Sequence, residues 1–193
     1  MSVSAAGSDA VYETEISIAD AVKGEVEKSF ELPVMSRLAQ NFGMNGNAEC
    51  YLGWTKEGLF VRLIGTEPTN GYGVAFSADG KTGTVVLYHS FGTMCVTDFV
   101  TQSWNYAPPS SYGIDAEKRT DSRGRDVYTF VVPYKNLGVE YGAELKIAPF
   151  EYTSAGPFAW YEDENGVSYP FGDAAFLAKY PTLAADGNIS LVF

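Results

Sequence analysis

The feature that most narrows the folds open to this chain is an apolar alternation of period two, repeated in short runs that are separated by turn residues. A strand sends successive side chains to opposite faces, so each alternating run has one side fit for a core. In residues 48–54, Ala48, Cys50, Leu52 and Trp54 fall on one side; Thr55, Lys56, Glu57 and Gly58 then reverse the chain into 59–64, where Leu59, Val61 and Leu63 share a face. Tyr72, Val74 and Phe76 alternate up to the turn pair Asp79 and Gly80, and Val85, Leu87 and His89 line one side of the strand that follows, read as a core face.

Residues 94–99 and 112–119 read as further strands, Asp121 to Gly124 turn the chain into 127–132, and Pro133 closes that strand. Leu145, Ile147 and Pro149 continue the alternation, Glu164, Asn165 and Gly166 mark a turn, and 189–193 forms a short terminal strand. About eight or nine strands at this spacing point to an all-β, two-sheet antiparallel sandwich with jelly-roll or immunoglobulin-like layering. Helix is minor: residues 20–28 read as two turns weakened by Gly24, and Asp173 as the cap of a short helix ending before Pro181. With no internal repeat or linker-like shift in composition, 1–193 is expected as a single domain, with 1–43 an irregular or partly helical N-terminal segment.

Composition agrees, since 15% aromatic residues with 20 Gly and 9 Pro favour many short strands and tight turns. A net charge of -11 would repel nucleic acid, and leaves neutral glycans, peptides and divalent cations as partner classes. No apolar run approaches the ~20 residues a membrane helix needs, and residues 1–10 lack the basic and apolar regions of a signal peptide. Cys50 and Cys95 form one disulfide if their strands face each other, and otherwise are two small buried hydrophobes.

Chemistry-bearing patterns are sparse. His89 is the only histidine, which weighs against a hydrolase triad, and neither phosphate-cradling nor dinucleotide-binding glycine loops occur. Glu162, Asp163 and Glu164 are the densest acidic cluster; ahead of Asn165 and Gly166 they read as a solvated turn, with calcium ligation or sugar hydrogen bonding as the functional alternatives. Paired carboxylates for glycoside hydrolysis stay open, because sequence spacing does not report their distance in space.

The aromatic residues carry the strongest signal. A pyranose stacks its apolar C–H face on an indole or phenol while its hydroxyls seek polar groups at the rim. Trp104 and Tyr106, with Gln102 and Asn105 beside them and Pro108 and Pro109 after them, fit that pattern, as do Trp160 and Tyr161 ahead of the acidic cluster. Trp54, in the inward set of its strand, is expected in the core.

The stretch from Ala48 through Trp54 to Gly58, Leu59, Phe60 and Val61 resembles the second and third strands of family nine carbohydrate-binding modules. Arg119 to Gly124 leading into Tyr128 to Tyr134 resembles that family's hairpin leading to an aromatic-capped strand end, and Phe171, Gly172 and Asp173 through Phe176 to Leu191, Val192 and Phe193 resembles its closing loop and last strand. The resemblance covers most of residues 44–193 and implies the same sandwich, shared with haem- or sugar-binding domains of the DOMON type. In the family's sugar binders two Trp rings sandwich the terminal sugar; the matching places here hold Asn70, Gly71 and Tyr72, and Tyr169, Pro170 and Phe171. The resemblance further implies a location outside the cell or on its surface, with any signal peptide removed, and a structural calcium. In the haem-binding relatives a His and a Met ligate the iron, and this chain has His89 and Met94.

The resulting expectation is a non-catalytic module, without cofactor apart from that calcium, that binds a polysaccharide or oligosaccharide through Tyr72, Trp104, Tyr106, Trp160, Tyr169 and Phe171. The alternative is a structural or adhesive surface domain with a protein partner, followed by a glycoside hydrolase and a haem-binding domain. No nucleic acid and no membrane insertion are expected.

Overall fold

The computed structural model describes residues 26–31, 48–55, 57–65, 69–140, 143–154, 156–158, 160–162, 168–171, 178, 182–183 and 189–190. The alternating runs become strands, and their pairing sorts them into two antiparallel sheets. The first contains β1 (Val26–Glu31), β2 (Glu49–Thr55), β3 (Gly58–Gly65), β7 (Asp115–Thr120) and β8 (Asp126–Pro133), in the order β1-β2-β3-β8-β7. The second contains β4 (Gly71–Ser77), β5 (Thr84–His89), β6 (Met94–Asp98), β9 (Leu145–Thr153), β13 (Thr182–Leu183) and β14 (Ile189–Ser190), in the order β14-β13-β9-β4-β5-β6, with β10 (Gly156–Phe158) also paired to β9. A separate two-stranded ribbon joins β11 (Trp160–Glu162) to β12 (Ser168–Pro170). The expected all-β, two-sheet antiparallel architecture is what the chain adopts.

Register tells which residues meet between the sheets. In the first sheet Cys50 pairs with Leu63 and Leu63 with Tyr128, Leu52 with Val61 and Val61 with Phe130, and Leu59 with Val132, so these rows share one face. In the second, Tyr72 pairs with Tyr88 and Val74 with Val86. Tyr72 and Tyr88 meet Tyr128 edge-on at 5.4 and 5.5 Å between ring centroids, and Tyr88 meets Phe130 at 6.3 Å, so the two faces close on each other. Each fully buried side chain of this kind stabilises the fold by roughly 1.5–3 kcal/mol.

Two local expectations are corrected. Val26 to Lys28 belong to β1, not to a helix over 20–28, because their backbone pairs with β2, Val26 with Thr55 and Lys28 with Trp54 across a register shift; residues 20–25 lie outside the described residues, as does the Asp173 cap. The strand expected over 112–119 begins only at Asp115, since Pro109–Tyr112 is a 3-10 turn stopped by Gly113 at φ 67°. A further four-residue helix, α1 (Tyr134–Leu137), follows β8.

On β5 the row Val85, Leu87 and His89 points away from the first sheet, and Val86 and Tyr88 face it. Val85 and Leu87 are nevertheless buried, as is every residue of β4. Strand β4 alternates large and small instead of apolar and polar: Tyr72, Val74 and Phe76 point inward, while Gly71, Gly73, Ala75 and Ser77 form a low row on the far face. A row that shallow leaves room for a third layer.

Candidate functional site

The third layer is aromatic. Phe150 on β9 pairs with Gly73 and lies over it, so closely that a Cβ there would overlap the ring. Phe171 meets Phe150 at 4.7 Å and Phe99 at 4.9 Å. Trp104 lies 6.5 Å from Phe150 and 5.1 Å from Tyr152, Tyr106 stands 6.5 Å from Tyr152 and 5.2 Å from His89, and His89 stacks on Phe91 at 4.9 Å with 24° between the planes. The rings thus form one chain across the far face of the second sheet. At one end Phe99 and Phe150 are buried; at the other, Tyr106 is 41% and Phe91 86% exposed.

A short loop carries Trp104 and Tyr106 into this layer. Asp98 ends β6 and accepts the backbone N–H of Val100 and Thr101 at 2.9 and 2.8 Å, which turns the chain back over the sheet. Gln102 takes the left-handed conformation at φ 45°, uncommon for a residue with a side chain, and its amide donates to the Phe99 carbonyl at 3.0 Å. Ser103 N–H donates to Thr97 Oγ1 at 2.9 Å, and Met94 and Ala107 exchange both backbone hydrogen bonds, closing the loop against β6. Tyr112 donates its hydroxyl to the Asn105 carbonyl at 2.9 Å, and Asn136 holds Tyr112 in turn. The loop's polar backbone is therefore satisfied locally, which allows the indole to be half-buried on the sheet.

Electrostatically the open end is neutral. Segments 89–93 and 103–107 contain no Asp, Glu, Lys or Arg. Burial pulls the His89 imidazole below the usual histidine range, and burial, aided by a hydrogen bond with Tyr152, pushes the Tyr106 phenol up, so both are uncharged near neutral pH. Lys118 reaches the Ser90 carbonyl at 3.4 Å, but pairs with Asp126 at 3.2 Å. Polar groups at the rim are the exposed Ser103 and Asn105, the partly exposed Thr93 and the Tyr106 hydroxyl.

Of the residues expected to bind ligand, Trp104, Tyr106 and Phe171 lie in this one layer. Tyr72 does not: it is 1% exposed and faces Tyr128 between the sheets, so it offers no ring face at the surface. Tyr72 and Phe171 lie on opposite faces of the second sheet, so they cannot sandwich one sugar as the family's Trp pair does. Trp160 and Tyr169 are described by their backbone alone, Trp160 pairing with Pro170 and Tyr169 with Tyr161 in the ribbon. Of the acidic cluster, Glu162 ends β11 and Asp163 and Glu164 lie outside the described residues.

Two cofactor readings meet the same register. His89 sits on the far face of the second sheet, whereas Met94 pairs with the inward Tyr88, so the two cannot grip one haem iron from opposite sides. Among the described residues no three His, Cys, Asp or Glu side chains gather to hold a metal ion. Cys50 faces the space between the sheets and Cys95, paired with Leu87, faces the aromatic layer, so both remain free, with the Cys95 thiol donating to the Ser103 carbonyl at 3.5 Å. Sequence reasoning missed Phe91, Phe99, Phe150 and Tyr152; for the last three, the low row Gly71, Gly73, Ala75 was the signal that rings would cover that face. Comparisons with protein-family models, with curated proteins and with solved structures found no match for this chain.

Proposed function

We propose that this chain is a non-catalytic glycan-binding module, acting outside the cell or at its surface, that docks an uncharged sugar on the open end of the aromatic layer. The observation that carries the reading is the continuous edge Phe91, His89, Tyr106, with centroids 4.9 and 5.2 Å apart, in two segments free of charged side chains. Rings in that arrangement suit the apolar face of a sugar, and Ser103, Asn105, Thr93 and the Tyr106 hydroxyl supply neutral partners for its hydroxyls. An anionic ligand would find no cation in these segments and a chain of net charge -11 around them. The open end also carries no pair of carboxylates for acid–base work on a glycosidic bond, which favours binding over hydrolysis.

The resemblance to family nine modules supports the same ligand class, but the docking place differs, because the family's first stacking position is filled here by the interior Tyr72. A structural calcium belongs to the proposal through that resemblance; calcium addition should raise the melting temperature.

The test is affinity electrophoresis and calorimetry against neutral cello-, xylo- and manno-series glycans. Binding to at least one series is expected, and Phe91→Ala with Tyr106→Ala should weaken it about tenfold or more, equivalent to about 1.4 kcal/mol, without unfolding the protein. Flat responses across all series would remove the reading. The exposure of Phe91 at a turn tip also supports a second reading, an adhesive domain that inserts this ring into a protein pocket; it predicts association sensitive to Phe91→Ala alone and indifferent to sugars.

A further inference from the structure

We propose that His89 is the positioning residue of this aromatic edge, and that its protonation releases Phe91 and so switches docking off as the solution becomes acidic. The part concerning docking rests on the glycan reading above; the part concerning Phe91 does not.

Two contacts tie Phe91 to His89. The rings stack at 4.9 Å, and the Phe91 backbone N–H donates to His89 Nδ1 at 3.3 Å. An acceptor at Nδ1 requires the neutral imidazole with its proton on Nε2. A proton added at Nδ1 would leave two donors facing each other, and the turn that presents Phe91 would lose the bond that sets its direction. The turn has few other ties of its own: His89 N–H donates to the Thr93 carbonyl, Ser90 N–H to the Asn70 carbonyl, and Gly92 N–H to the His89 carbonyl.

None of the described groups packed around His89 carries a negative charge that would stabilise an imidazolium. From the loop after β6 comes Tyr106, and from β9 comes Tyr152, both phenols. On β4 its register partner is Gly71. From β7, Lys118 touches Ser90 and would repel a second cation there, although Asp126 beside it offsets that charge. No described carboxylate contacts the ring. Attraction between an imidazolium and the ring faces works the other way, yet burial holds the folded-state value below the ordinary 6.5, so the neutral form is the one the fold favours. The transition therefore lies on the acid side of 6.5, with the edge assembled above it and released below it.

Because the chain has a single histidine, one imidazole resonance reports its titration without ambiguity. The experiment follows that resonance and the Phe91 amide of the wild-type protein by NMR from neutral to acid pH, alongside affinity for whichever neutral glycan binds. The Phe91 amide should move with the His89 midpoint, below 6.5, and affinity should fall about tenfold or more across the same interval. His89→Phe, which keeps a ring in the stack and removes the titration, should give a flat affinity profile. A Phe91 amide that stays still through the His89 midpoint overturns the inference whether or not any sugar binds. Should Phe91 track His89 while no glycan binds at any pH, the glycan reading fails and the positioning role stands.

Discussion

Replacing Gly73 with Ala sets two effects against each other, and the structure decides between them. In a strand interior Ala is ordinarily favoured over Gly by about 0.5–1 kcal/mol, because Gly loses more backbone freedom on folding. At this position, however, a Cβ would come within 2.6 Å of Phe150 Cε1 and 2.7 Å of the Val86 carbonyl oxygen. The Val86 carbonyl belongs to the ladder between β4 and β5 and cannot yield, so the Phe150 ring must move and disturb Trp104 and Phe171 with it. Against an unyielding carbonyl, overpacking costs the upper part of its usual range of about 1–3 kcal/mol, about 2–3 kcal/mol, and less the roughly 1 kcal/mol that Ala gains this leaves Gly73→Ala less stable by about 1–2 kcal/mol. Equilibrium unfolding in urea measures this as a lower midpoint at unchanged slope, and thermal melting as a drop of about 2–8 °C. Phe150→Leu, which costs about 1 kcal/mol alone, should absorb part of the damage, so that Gly73→Ala costs less in that background by about 0.5–1 kcal/mol. A neutral or stabilising Gly73→Ala, or an equal cost in both backgrounds, would show that the ring does not lie over the glycine.

The assignment of faces on β4 predicts that Tyr72→Ala, which empties the space against Tyr128, costs about 3–5 kcal/mol in urea unfolding, whereas Tyr106→Ala at the open edge costs under about 1 kcal/mol; similar losses would mean that Tyr72 is not interior. Cys50 and Cys95 are buried on different faces with their thiols pushed up by burial, so a thiol reagent should label them only on unfolding and reductant should leave the melting temperature unchanged. An intramolecular bridge seen on non-reducing electrophoresis would contradict that placement. Asp121 is held at about 2, chiefly by the Arg125 backbone N–H and then by the Arg125 side chain. The unfolded chain takes up the proton first, so this stabilisation is in place above the ordinary 3.8 and is lost as pH falls through about 2. Asp121→Asn should be the less stable protein at neutral pH and converge with the wild type at the acid end; a gap that widens on acidification would reverse the sign.

The inward rows were legible where a polar or small neighbour gives them phase, Arg62 between Val61 and Leu63, and Gly73 and Ala75 beside Val74. Leu59, Val61 and Leu63, and Tyr72, Val74 and Phe76, fall where alternation puts them. Strand β5 offered no such phase: Val85, Val86, Leu87 and Tyr88 are apolar without a break because both faces are covered, so period two cannot say which row meets the other sheet. The same covering explains Trp104. Polar and proline neighbours suggested an exposed loop, but Asp98 and Thr97 satisfy that loop's backbone, and the indole lies down on Phe150 and Tyr152. Phe91 carried no signal at all, since a lone apolar residue in a turn has no period and is ordinary on protein surfaces.

Among these results the meeting of Trp104, Tyr106 and Phe171 in one layer was only partly foreseeable. Pairing of Gly71 with both His89 and Tyr152 brings β5 and β9 together at the same end of β4. That juxtaposition depends on strand order, which hydrophobic period does not encode.

Docking of sugar on the aromatic layer is tested most directly by amide chemical-shift mapping on the wild-type protein during titration with a neutral oligosaccharide. Docking on the open end of the aromatic layer should concentrate the shifts in residues 89–93 and 103–107, with Tyr152 following and the inward residues of the first sheet unmoved. Shifts confined to β2, β3 and β8, or none at saturating sugar, would contradict it.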